Sequence, residues 1–140
     1  VILERAEVGF GIVCADAIDR SNILQASLLA MRQAVEELPS SPDLILVDGP
    51  AAFPSPVPCW PLIHGDRRSR LIGCASIMAK VLRDRLMRFY HELFPRYAFD
   101  RHKGYGTALH RARLSAHGPC ALHRFSFRPV RDLTTDHVAS

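Results

Sequence analysis

No stretch of this sequence stays apolar for the roughly 20 residues that a membrane-spanning helix requires. The first residues, Val1-Ile2-Leu3-Glu4-Arg5, are apolar only briefly and have neither a basic lead nor a small-residue cleavage site, so no signal peptide is expected. Cysteine is sparse: Cys14, Cys59, Cys74 and Cys120 stand at spacings of 45, 15 and 46, with no C-x-x-C pair. That argues against a zinc ribbon or a thioredoxin-type motif and makes reduced thiols the expectation, with Cys74 acting as a small buried hydrophobe. The seven histidines are scattered and form no H-x-x-x-H pair. There is no internal repeat and no low-complexity tract. Cations are scarce early on: residues 1–60 hold 3 Lys/Arg against 8 Asp/Glu, a net of −5, whereas residues 61–140 hold 15 against 6, a net of +9. A basic half with a few chosen carboxylates suits a polyanion-binding surface beside a cation site, and it equally suits plain solvated charge. With 48% apolar and 23% charged residues over 140 positions, the composition excludes disorder for most of the chain and fits one domain.

The patterning predicts an α/β unit followed by a basic helical region. Residues 7–14 alternate apolar and polar positions and predict a strand, weakened by Gly9 and Gly11. Leu24, Leu28, Met31, Val35 and Leu38 recur at spacings of 4, 3, 4 and 3, which predicts a helix over 22–38 capped by Asp19, Ser21 or Asn22. The continuous run Leu44-Ile45-Leu46-Val47 predicts a strand covered on both faces, ending at Asp48-Gly49-Pro50. Five prolines in residues 50–61 predict a surface loop, and 61–64 a short edge strand before Gly65-Asp66. A helix is expected over 74–94 with Ile77, Val81, Leu82, Leu86, Phe89 and Leu93 as its apolar stripe. A polar loop follows over 100–107, then a helix from a Thr107 cap to a Gly118-Pro119 stop. Residues 124–130 read as extended and 132–140 as a flexible tail.

Three groups of residues could carry chemistry. Asp48 and Asp66 each follow an apolar run and adjoin a glycine. Hard divalent cations take oxygen ligands, and two carboxylates at strand ends could converge on one; each could also simply cap a turn. The loop Asp100-Arg101-His102-Lys103-Gly104-Tyr105-Gly106-Thr107 combines cations, a ring and glycines, as a platform for phosphates and a base would, or as a solvated loop would. Ser76, Lys80 and Arg83 follow at spacings of 4 and 3, a helix face that could meet phosphates or merely solvent.

Taken in order, four blocks resemble ribonuclease HII: Ile18-Asp19-Arg20-Ser21-Asn22-Ile23-Leu24-Gln25-Ala26 running into Leu29-Ala30-Met31; Leu46-Val47-Asp48-Gly49; Gly65-Asp66 with Ala75-Ser76-Ile77 and Ala79-Lys80-Val81-Leu82-Arg83-Asp84; and Arg101-His102-Lys103-Gly104-Tyr105-Gly106-Thr107 with His123-Arg124-Phe125-Ser126-Phe127-Arg128-Pro129-Val130. The resemblance runs over roughly residues 7–131, and the ordered set is far more specific than any one block. It implies an α/β fold: a truncated ribonuclease H-like mixed sheet flanked by helices, with a C-terminal helical region. Residues 1–131 would be one domain. It also implies an endoribonuclease that cleaves RNA in RNA–DNA hybrids, and ribonucleotides embedded in duplex DNA, by two-metal-ion hydrolysis with Mg2+ or Mn2+. Asp48 matches the third of the family's four carboxylates and Asp66 the fourth. Tyr105 matches the tyrosine beside the cleaved bond, where the 2′-hydroxyl distinguishes RNA from DNA. Lys103, His102, Ser76, Lys80 and Arg83 are the expected nucleic-acid contacts. A cytoplasmic monomer with no membrane association is expected.

The departures carry their own expectation. The family's Asp-Glu-x-Gly-Arg-Gly motif has no counterpart here, so two of the four ligands have no match, and an open sheet edge is expected. His64 stands where the family usually has Lys, and Gly73 where Ser is usual. Glu4 or Glu7 could stand in for a ligand, although neither lies in a motif that fixes its backbone. Catalysis by this chain alone is therefore expected to be absent or impaired. The alternatives are a non-catalytic hybrid- or duplex-binding remnant and a chain that does not fold stably alone.

Overall fold

The computed structural model describes residues 1–136, with side chains through residue 132. Its elements are α1 (Ala15–Arg20), α2 (Ile23–Glu36), β1 (Ile45–Asp48), β2 (Cys59–Leu62), α3 (Gly65–Arg68), α4 (Arg70–Leu93), α5 (Phe99–His102), α6 (Ala108–His117) and α7 (Arg128–Asp136), with 3-10 turns at Ile2–Glu4 and Pro95–Tyr97. Two compact units result: Val1–Val13 with Ser21–Ala79, and Cys14–Arg20 with the chain from Lys80 onward. Among the described residues, no helix is long and apolar enough to cross a membrane.

The first unit is built on a parallel pair of strands, with Ile45 opposite Cys59 and Asp48 opposite Leu62. Parallel neighbours need a crossover, usually a helix. Here residues 49–58 make it without one, and prolines 50, 54, 56 and 58 fix the backbone while removing donors that would otherwise need partners. This loop is not confined to the surface. Phe53 is buried and joins Leu28, Ile45 and Val47 in the core, flanked by Met31, Val35, Ala51, Val57 and Cys59. α2 thus presents the middle of its apolar stripe to the sheet, while Leu24 at its start stays exposed. Asn22 caps it, its side chain accepting from the Gln25 amide at 2.9 Å.

Residues 7–14 form no strand among the described residues, contrary to the alternation in the sequence. The two glycines explain why. A side chain on Gly9 would overlap the Ala34 carbonyl, and one on Gly11 the Ala30 carbonyl. The segment lies against the backbone of α2 through two residues that lack a Cβ, so the glycines that weaken the strand pattern are what allow this packing. β2 likewise begins earlier than the expected edge strand, and α4 begins at Arg70 rather than 74. Of the α4 stripe, Leu82 and Leu86 are half-buried, but Ile77, Val81, Phe89 and Leu93 are exposed.

The second unit packs around Tyr97, Phe99, Leu114 and Val130, the largest side chains that are almost fully enclosed there. Three buried histidines, His102, His110 and His123, complete this core. α6 is capped as the sequence predicts, with Thr107 Oγ1 accepting from the His110 amide at 3.2 Å and Gly118 in a positive-φ conformation (φ 68°) at its end. Asp19 at the end of α1 accepts hydrogen bonds from the amides of Phe125 (2.6 Å) and Ser126 (3.0 Å) and from the Ser126 hydroxyl. These bonds, the hydroxyl's above all, hold its carboxyl below the usual carboxylate range. They also bend residues 124–127 into a turn instead of extended chain. α7 then occupies 128–136, including the start of the stretch expected as a tail; residues 137–140 lie outside those described.

Candidate functional site

Asp48 is the last residue of β1, and the ladder closes beyond it where the Gly49 amide donates to the Leu62 carbonyl at 3.1 Å. The chain leaves β2, turns through His64 at φ 55°, and brings the Gly65 amide to Asp48 Oδ1 at 2.8 Å. Asp66 is the next residue, in the first turn of α3. Asp66 therefore follows directly on the amide that Asp48 accepts from, 18 positions after Asp48, at the carboxyl end of the parallel pair, where open parallel sheets place their ligands. A Cβ on Gly65 would stand 3.2 Å from Asp48 Oδ1 and 2.6 Å from Ile72 Cδ1, so the approach depends on glycine. Gly65→Ala is expected to displace Asp48 or Ile72 and to lower stability by about 1–3 kcal/mol, read as a shift in the urea midpoint.

The donor set suits a hard cation in part. Among the described residues the Asp48 carboxylate makes that one hydrogen bond and the Asp66 carboxylate makes none, leaving oxygens for a ligand. Both residues are exposed. Two carboxylates completed by water and phosphate oxygens make an ordinary Mg2+ environment. They do not make a closed cage: among the described residues no group of three or more His, Cys, Asp or Glu is placed to hold a metal.

The loop after α5 is held on every side. Lys103 and Gly104 both have positive φ (51° and 79°). Arg83 Nη2 donates to the Lys103 carbonyl at 2.9 Å, and its guanidinium lies 5.2 Å from the centre of the Tyr105 ring. His102 Nδ1 accepts from the Gly104 amide at 3.1 Å, the Tyr105 amide donates to the His102 carbonyl at 2.8 Å, and Arg111 Nη1 donates to the Gly106 carbonyl at 2.6 Å. The Tyr105 ring itself is 56% exposed. A backbone tied by these bonds thus presents an exposed aromatic ring with the Arg83 guanidinium over it, a ring on which a base or sugar could stack.

The family model described as Ribonuclease HII matches residues 2–130. The chain belongs to the ribonuclease HII family. It is 50% identical over 135 residues to the Ribonuclease HII of Chlamydia abortus, covering 95% of this chain and 63% of that protein. Against the Ribonuclease HII of Syntrophotalea carbinolica it is 50% identical over 126 residues, covering 90% and 60%. For Thermotoga maritima the figures are 47% over 137 residues, 98% and 57%. The chain spans about three fifths of the length of the curated relatives it matches.

Within this ribonuclease HII chain the expected site residues fall into distinct places. Asp48 and Asp66 share one end of the sheet in the first unit. Arg83, Lys103 and Tyr105 come together in the second. Ser76 is exposed on α4, and Lys80 is paired with Asp84 at 3.2 Å. Lys103 Nζ turns back to the Asp100 carbonyl. His102 is corrected: it is 4% exposed, its Nε2 lies 2.8 Å from the Tyr97 carbonyl, and its Nδ1 takes the Gly104 amide, leaving neither ring nitrogen for a nucleic acid. Sequence reasoning missed Gly65 as the support of Asp48, and it missed His110, His123 and Arg111 as supports of the loop. The Gly-Asp pair at 65–66 was the only local signal for the first. The histidines, 8 and 13 positions apart, share no helical spacing that would announce them.

Proposed function

We propose that this chain supplies the Asp48–Asp66 pair and the Tyr105 loop of an endoribonuclease acting on RNA in RNA–DNA hybrids and on ribonucleotides embedded in duplex DNA. The observation that supports it is the hydrogen bond from the Gly65 amide to Asp48, one residue before Asp66, in a chain of the ribonuclease HII family. Asp48 and Asp66 would hold Mg2+ or Mn2+ together with phosphate oxygens. Such ions supply activation of water and neutralisation of charge at the leaving oxygen. The basic second half, net +9, would hold the duplex by its phosphates, and Tyr105 would pack against the sugar beside the scissile bond. Two of the family's four carboxylates are matched, and among the described residues no group of three or more His, Cys, Asp or Glu is placed to hold a metal, so the chain by itself is expected to be inactive or impaired. A monomer working in the cytoplasm, its four thiols free, is the accompanying proposal.

A duplex carrying one embedded ribonucleotide tests this in the presence of Mg2+. The chain should cleave poorly alone and efficiently when supplied with the part of a relative that it does not span. Asp48→Asn or Asp66→Asn in the supplemented protein should cut the rate about 100-fold or more. Unchanged cleavage in either variant would remove that carboxylate from the site. A second reading, a non-catalytic duplex-binding module, is favoured by the clamped, exposed Tyr105. It expects binding that weakens steeply with salt and survives Asp48→Ala, with no cleavage even when supplemented.

A further inference from the structure

The three buried histidines of the second unit have proton positions that their partners dictate. His102 Nε2 faces the Tyr97 carbonyl and must donate, while its Nδ1 accepts from the Gly104 amide. His110 Nδ1 lies 2.9 Å from the Tyr105 carbonyl and must donate. His123 Nδ1 accepts from the Cys120 amide at 3.0 Å, so its Nε2 carries the proton. That proton points at His110 Nε2, 3.2 Å away, the one acceptor His110 has left. Every donor meets an acceptor only when all three rings are neutral. The His102 and His110 rings also stack at 4.1 Å and 9°, which fixes their planes.

We propose that this His102–His110–His123 relay is the device that positions Tyr105, gripping the amide of Gly104 and the carbonyl of Tyr105 through neutral imidazoles of fixed tautomer. These are positioning residues: none presents a nitrogen to a ligand. The Tyr105 grip is the point of the arrangement, because the ring it carries is exposed while its backbone is held from inside the core. The relay also makes that grip sensitive to acid. A second proton on His110 would set Nε2–H against Nε2–H of His123, and one on His123 would oppose the Cys120 amide.

Among the described residues, no carboxylate is bonded to the three rings. Tyr97, Phe99 and Phe127 present rings to it, and the Cys120 thiol lies 3.2 Å from His123 Nδ1. His117 and Arg96 pack on the far partner Tyr97, and Arg124 lies over Phe127. Asp19 is committed to the Phe125 and Ser126 amides, and Asp100 lies 3.3 Å from His91. Burial accordingly pushes both His110 and His123 down.

Long-range proton–nitrogen NMR on the full 140-residue chain at neutral pH tests the assignment directly. His102 and His123 should show Nε2–H and His110 Nδ1–H; Nε2–H on His110 would overturn the relay. On acidification the Gly104, Tyr105 and Gly106 amides should move together with His110 and His123, and independent movement would also overturn it. His110→Leu removes the donor to Tyr105 and should shift those amides. His110→Asn restores a donor at the Nδ1 position and should return them. If the leucine variant does not fold, the asparagine variant alone decides: it should keep the loop amides in place at neutral pH, and displaced loop amides would refute the proposal. Loop amides that ignore the leucine variant would also refute the proposal. The binding arm rests on the reading of Tyr105 as a duplex contact: His110→Leu should weaken hybrid binding about tenfold and His110→Asn should not. Hybrid binding indifferent to both, with the NMR pattern as stated, would refute the duplex role of Tyr105 and leave the relay standing.

Discussion

Replacing Phe99 by Ala should lower stability by about 3–5 kcal/mol, the range for emptying a well-packed aromatic site. The ring is 2% exposed and lies 5.4 Å from the Tyr97 ring, 5.7 Å from that of His102 and 5.5 Å from that of His123. Two losses combine. The transfer of the phenyl group from water is forgone, and a void opens among rings that cannot close on it. His102 and His123 are tethered by hydrogen bonds to Tyr97 and Cys120, so collapse into the void would break them. Domains are stable by only about 5–15 kcal/mol, so the loss should be plain in a urea midpoint. A change below about 1 kcal/mol would show that Phe99 does not anchor the core of the second unit.

Stability should also fall as the pH drops from about 6.5 toward 4. The folded pKa of His123 is pushed down to about 4 by its burial, with His110 beside it, and that of His110 is lowered by burial as well. In the unfolded chain both would titrate near the ordinary value of about 6.5. Between those limits the unfolded state binds more protons, so stability rises with pH. The contribution is fully present above about pH 6.5 and is lost as the pH falls through the folded value. For His123 it amounts to something on the order of 3 kcal/mol. Thermal melts across this window measure it. His123→Asn, which leaves an acceptor for the Cys120 amide, should flatten the dependence while lowering stability at neutral pH. An equally steep acid loss in that variant would assign the effect elsewhere.

Much of this protein could be read along the chain. Wherever local chemistry decides the matter, the elements appear as the pattern predicts. The α2 helix starts at its asparagine cap, α6 runs between Thr107 and Gly118, and the continuous apolar run forms a strand that ends at Asp48. The ordered blocks also identified the family. Misreadings occurred where one residue type serves two purposes. Gly9 and Gly11 looked like a weak strand and serve as a packing surface for α2. The prolines of residues 50–58 looked like a surface loop, yet Phe53 among them enters the core. The resemblance makes His102 an expected nucleic-acid contact, and only its burial reveals otherwise.

The sequence by itself determined the family, the α/β class and the basic second half, because these rest on residue identity and short-range periodicity. Only the tertiary structure decided which atoms those residues meet. It placed the Gly65 amide on Asp48 and closed a histidine relay behind Tyr105. Those contacts join residues 17 and 13 positions apart through hydrogen bonds whose geometry no local pattern encodes. The proton positions of buried imidazoles follow from their partners, and partners exist only once the chain has packed.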